Sequence, residues 1–129
     1  MAPRRTDLSG AEWELMKTIW NLPQPVTVRT VLTTTYPNDE KAYTTVQTLM
    51  NILVEKEFLS RHKTDNRNRY TVMVDRETVV GGSIKRLATQ MFGGSVGALA
   101  SYLVDTDHLS AEELNELRDI LKVKKGGRK

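Results

Sequence analysis

Apolar residues recur at helical spacing along most of this chain, and the breaks between the stripes mark its elements. Trp13, Met16, Ile19 and Trp20 fall on one face of a first helix. Leu8-Ser9-Gly10-Ala11-Glu12-Trp13 is its start: Ser9 caps, Glu12 completes a capping box, and Leu8 and Trp13 form a hydrophobic staple. Asn21-Leu22-Pro23-Gln24-Pro25 ends it. Thr27 caps a second, short helix whose inward face is Val28, Val31 and Leu32. Tyr36-Pro37 stops that helix, because a residue before proline avoids helical angles. Asn38-Asp39-Glu40-Lys41 is a polar turn. A third helix is predicted from Tyr43 to Lys56, with Val46, Leu49, Met50 and Leu53 inward and Thr44, Gln47, Thr48 and Asn51 outward. Ala42 is a poor cap for it.

The period then changes. Phe58 to Lys63 and Arg69 to Val74 flank Thr64-Asp65-Asn66-Arg67-Asn68, and Tyr70, Val72 and Val74 alternate with Thr71 and Met73. This is a half-buried strand pattern around a polar turn, hence a β-hairpin. From Asp75 onward the helical period returns. Val79, Val80, Ile84, Leu87, Ala88 and Met91 form one stripe, which Gly93-Gly94 breaks. Val96, Leu99, Ala100 and Leu103 form a second. Leu109-Ser110-Ala111-Glu112-Glu113-Leu114 repeats the first helix start, and Leu114, Leu117 and Leu121 make the buried face of the last helix. The expected fold is mainly α with a small β-hairpin wing: a winged helix-turn-helix domain over 1–74, then a helical dimerisation arm with a basic tail over 75–129.

Composition narrows the function. The 129 residues are 39% apolar and 27% charged, which is a globular balance and too apolar for a disordered chain. No apolar run approaches the ~20 residues that span a bilayer, and no signal-peptide stretch follows the basic start. The expected location is therefore cytoplasmic, without membrane insertion. There is no cysteine, and His62 and His108 lie in separate elements, so neither a metal site nor a cofactor is expected. No nucleophile–base pair or glycine-rich phosphate loop is present, and Gly93-Gly94-Ser95 lacks the setting of a nucleophile elbow. No enzyme is expected.

The net charge of +3 is mild, but its distribution is informative. Arg61, Lys63, Arg67 and Arg69 concentrate on the hairpin against one acid, Asp65, and the tail from Lys122 to Lys129 holds five cations and no acid. Three helices followed by a hairpin form the winged variant of helix-turn-helix, whose third helix enters the major groove of DNA. Thr44, Thr45, Gln47, Thr48 and Asn51 are the candidate base readers. Gln and Asn can pair bidentately with adenine, and threonine methyls can meet the thymine methyl. Arg61, Lys63, Arg67 and Arg69 are the candidate phosphate contacts of the wing. An ordinary solvated face and a charged strand edge that resists aggregation explain the same residues in structural terms. The arm is too small to be stable alone. Val96, Leu99, Leu103, Leu114, Leu117 and Leu121 are expected to close a core with a second copy, giving a homodimer on a near-palindromic operator. The competing reading is a winged-helix module that docks a protein, for which Tyr43 and Ile52 are the only apolar anchors on the outward face.

Several segments together resemble the penicillinase and methicillin-resistance repressor family, which includes copper-operon repressors. They are Leu8 to Met16 with Ile19-Trp20, Ala42 to Met50, Leu53 to Lys56, Arg69-Tyr70, Phe92 to Ser95 and Leu109 to Leu114. The resemblance implies a winged helix, a dimerising arm and repression of a resistance or stress operon, with base contacts on the Thr44 to Asn51 face. In the antibiotic-responsive branch it also implies a membrane metalloprotease sensor and a cut in the arm at an Asn-Phe pair. The nearest pair here is Ser101-Tyr102, without the asparagine. Ile52 stands where the family usually has arginine, and Glu57 where it has glycine. The cysteine-rich tail of the copper branch is absent.

Overall fold

The computed structural model describes residues 7–127. The basic start, and the tail side chains from residue 124 on, lie outside what is described. The elements are α1 (Gly10–Trp20), α2 (Val28–Thr35), α3 (Tyr43–Glu55), β1 (Leu59–Thr64), β2 (Arg67–Val72), α4 (Arg76–Met91), α5 (Val96–Asp105) and α6 (Ala111–Gly127). They form two compact units that divide after Val80. The expected limit was residue 74. The first unit reaches further because Val79 is buried in its hydrophobic cluster.

In the first unit the helix starts follow from local chemistry. Ser9 Oγ accepts from the Glu12 N–H at 3.2 Å, and Glu12 Oε1 accepts from the Ser9 N–H at 2.9 Å, closing the capping box. Thr27 Oγ1 accepts from the Thr30 N–H at 3.2 Å and starts α2. α3 begins at Ala42 without a side-chain cap. It ends in a Schellman turn: the Phe58 N–H donates to the Leu53 carbonyl at 2.9 Å and the Glu57 N–H to the Val54 carbonyl at 3.0 Å. That turn needs a left-handed residue, and Glu57 supplies it at φ +68°. The turn usual for glycine is thus kept with a glutamate.

β1 and β2 pair antiparallel, with Leu59 opposite Val72 and Thr64 opposite Arg67. This register leaves Asp65 and Asn66 as a two-residue loop, at φ 55° and 64°. Both residue types tolerate that conformation, and its twist matches the strands. The wing also has a partner the periodicity did not show. Val26 exchanges both backbone hydrogen bonds with Tyr70, each 2.8 Å. Gln24 completes the junction: its Oε1 accepts from the Val72 N–H at 3.0 Å, and its Nε2 donates to the Ile19 carbonyl at 2.9 Å.

Leu15, Met16, Ile19, Val31, Val46, Met50, Leu53, Leu59 and Tyr70 are fully buried in the first unit. The expected tryptophans instead stand at the rim. Trp13 and Trp20 are half-buried and meet edge to face at 5.8 Å, while Leu15 takes the interior. The rim suits Trp20, whose indole N–H donates to the Val74 carbonyl at 3.0 Å.

In the second unit Gly93 and Gly94, at φ 59° and 88°, turn the chain from α4 into α5. Ser95 caps α5, and Ser110 with Glu113 forms the second capping box, before α6. The apolar stripes of α5 and α6 are not enclosed within one copy. Val96, Leu103, Leu117 and Leu121 are exposed, and Leu99 and Leu114 are half-buried. One copy of so small an arm has too little opposing surface to enclose them. Among the described residues, no single helix is long and apolar enough to cross a membrane.

Candidate nucleic-acid interface

α3 is held from behind by Val46, Met50 and Leu53, all fully buried. The 3.6-residue period then turns Thr44, Thr45 and Thr48 to solvent, with Gln47 half-buried. Ile52, at the place of the family's arginine, is half-buried.

The hairpin register divides the four wing cations between two faces. Arg61 and Lys63 stand opposite Tyr70 and Asn68. Arg67 and Arg69 stand opposite Thr64 and His62, and so project from the other face. Arg61, Lys63 and Arg67 are exposed, and Arg69 is half-buried.

Between α3 and the tip of the wing lies an open groove of about 430 Å³, lined by Thr27, Val28, Arg29, Tyr43, Gln47, Asn66, Arg67 and Asn68. It brings Gln47 and Arg67 together. It also adds residues that periodicity did not select. The Arg29 guanidinium sits over the Tyr43 ring, 4.9 Å from its centre. A signal for Arg29 existed: it lies in the first turn of α2, where the helix dipole disfavours a cation. Two cations and no carboxylate line this groove, so it suits an anionic partner.

Asn51 differs from the other outward residues of α3. Its Oδ1 accepts from Arg61 Nη1 at 2.8 Å and from the Tyr70 hydroxyl at 2.9 Å. A guanidinium can only donate, so the atom facing it must be the amide oxygen. Burial pushes the Tyr70 phenol up from its ordinary value, with Arg61 acting in the opposite direction, so the hydroxyl keeps its proton and donates.

Ser101 and Tyr102 lie within α5 and are exposed. The Tyr102 ring stands 5.7 Å from Phe92 and 5.5 Å from His108, centre to centre. Among the described residues, no group of three or more His, Asp or Glu side chains is placed to hold a metal ion.

Three helices, a two-stranded wing and further C-terminal helices define a winged-helix protein with a helical arm. The family model described as Penicillinase repressor matches residues 8–123, and the chain belongs to that family, whose members are transcriptional repressors and not enzymes. It is similar to the penicillinase repressor of Staphylococcus aureus, 27% identical over 121 residues, which is 94% of this chain and 95% of the relative. The methicillin resistance regulatory protein MecI of Staphylococcus aureus is 26% identical over 118 residues, 92% of this chain and 95% of the relative. The penicillinase repressor of Bacillus licheniformis is 27% identical over 122 residues, 95% of this chain and 94% of the relative.

Proposed function

We propose that this repressor is a cytoplasmic homodimer that reads a near-palindromic operator in duplex DNA and controls a resistance or stress operon. The observation that carries the reading is the acid-free groove joining Gln47 on α3 to Arg67 on the wing. In this reading α3 enters the major groove, and Thr44, Thr45, Gln47 and Thr48 meet base edges. Lys63, Arg67 and Arg69 follow the phosphate backbone, with Arg61 beside them. The names of the relatives, a penicillinase repressor and a methicillin resistance regulator, support the kind of operon.

Dimerisation is supported by the arm. Ala100, Leu103, Val104, Leu109, Leu117, Ile120 and Leu121, together with Glu113 and Glu116, line an open, largely apolar groove of about 550 Å³ between α5 and α6. A two-fold second copy covers such a surface with the same surface, and sets two copies of α3 on two half-sites.

Fluorescence anisotropy with a duplex from the protein's own upstream region tests the reading. Titrations at two salt concentrations, with scrambled DNA as competitor, give both affinity and specificity. The expected result is binding that resists the competitor and weakens by roughly a thousandfold from 50 to 200 mM salt, as about six released phosphate counterions require. Equal displacement by scrambled DNA, or binding only to a protein partner, would overturn it.

A further inference from the structure

Asn51 faces outward on α3, yet the hydrogen-bonding half it needs for reading adenine is already engaged. Bidentate recognition of adenine takes an amide oxygen and an amide N–H from one side chain. The Asn51 oxygen has two lone pairs, and Arg61 and Tyr70 occupy both. These partners are themselves a cross-strand pair: Arg61 on β1 stands opposite Tyr70 on β2. One side chain on α3 thus grips both strands of the wing at a single level. Tyr70 is fully buried and is also the residue that pairs with Val26, so it is a fixed point. Arg61 is exposed, and Nη1 is the guanidinium nitrogen that Asn51 holds. Among the described residues, the other N–H groups of the fork remain open to an anion.

We propose that Asn51 is a positioning residue: it clasps α3 to the wing and presents the Arg61 guanidinium to a DNA phosphate, and it does not read a base. Fixing the rotamer of a long side chain before binding removes an ordering cost from the bound state. The proposal rests on the DNA-binding reading above.

The test compares Asn51→Ala, Arg61→Ala, the double variant and Tyr70→Phe with the unaltered full-length protein. Binding is measured on the operator, on its single-base-pair variants and on a scrambled duplex, across a salt series, with a thermal melt of each protein. Asn51→Ala is expected to weaken all duplexes by the same factor, about tenfold. It is also expected to lower the salt slope by about one per subunit, as Arg61→Ala does. A bond that only stabilised the fold would leave that slope alone. The double variant is expected to bind no more weakly than Arg61→Ala, because the two act through one contact. Tyr70→Phe, which keeps the buried ring, should fall between the unaltered protein and Asn51→Ala, and it carries the test if Asn51→Ala does not fold. A changed preference at one base pair with an unchanged slope would make Asn51 a base reader and overturn the proposal. So would additive losses in the double variant. If the unaltered protein binds neither duplex, the DNA-binding reading fails first, and the inference falls with it.

Discussion

Lys56 Nζ stands 2.8 Å from Glu12 Oε1, so the C-terminal end of α3 is tied to the first turn of α1. The Glu12 side chain is only 6% exposed, and the same oxygen accepts from the Ser9 N–H. Lys56 also donates to the Asp7 carbonyl at 3.4 Å. One carboxylate therefore serves a helix cap and an ion pair. Its removal is expected to cost more than a surface charge would. Glu12→Ala should lower stability by about 2 kcal/mol, and Lys56→Met by roughly 1–2 kcal/mol, because each leaves a less satisfied partner. Lys56 keeps a quarter of its side chain in solvent, which holds these values below those of a fully buried pair. Urea denaturation of both single variants and the double variant checks this. The double variant should lose less than the sum.

Glu57 is the clearest local strain in the first unit. A left-handed backbone at φ +68° disfavours any residue with a Cβ, and the Schellman turn at the end of α3 requires it. Glu57→Gly should raise stability by about 0.5–1 kcal/mol, the relief of strain exceeding the extra freedom of the unfolded chain. A higher melting temperature with unchanged helix content is the expected reading. A lower one would mean that the Glu57 side chain contributes more than its backbone costs.

The hydroxyl of buried Tyr36 donates to Glu14 Oε1 at 2.7 Å. Burial first, and then the Glu14 carboxylate, push its pKa up from 10.0 to about 12. The unfolded chain therefore loses this proton first as pH rises. Between about pH 10 and 12 the folded state binds more protons, so stability falls with pH there, by roughly 2 kcal/mol in all. Below pH 9 this group contributes no slope. Tyr36→Phe should flatten the alkaline limb in denaturation at pH 8, 10 and 11.5. It should leave a remainder from Tyr70, whose pKa is also raised.

Gln47→Ala and Arg67→Ala separate base reading from phosphate contact on the proposed interface. The first should redistribute preference among operator variants, by about 1–3 kcal/mol at one base pair. The second should weaken all duplexes alike and reduce the salt slope by about one per subunit. Competition titrations with single-base-pair variants check both.

Leu121 is 65% exposed, so a charge there is tolerable in a lone chain. It is intolerable in an apolar two-fold interface, where it would be buried without a partner. Leu121→Asp should therefore shift sedimentation from dimer to monomer while the melt of the first unit, followed by Trp13 and Trp20 fluorescence, stays in place. Unchanged sedimentation would remove the α6 face from the proposed interface.

Sequence alone determined what depends on near neighbours. The boxes at Ser9 and Ser110, the cap at Thr27 and the Asp65-Asn66 turn each close hydrogen bonds or dihedrals within a few residues. The inward stripe of Val46, Met50 and Leu53 is equally local, because the helical period fixes it. The same period fixed the outward face, and with it most of the candidate interface.

Tertiary structure decided the relationships between segments. Periodicity selects Trp13, Met16, Ile19 and Trp20 as one face of α1, but the position of the packed elements also takes Leu15 into the interior and leaves the tryptophans at the rim. The pairing of Val26 with Tyr70 and the ion pair of Glu12 with Lys56 join positions far apart in the chain. Asn51 shows the difference most directly. Its place on the outward face follows from counting residues along α3, whereas its engagement with Arg61 and Tyr70 follows from where the wing is folded. A helix period specifies direction, but it carries no information about which distant side chain will arrive there.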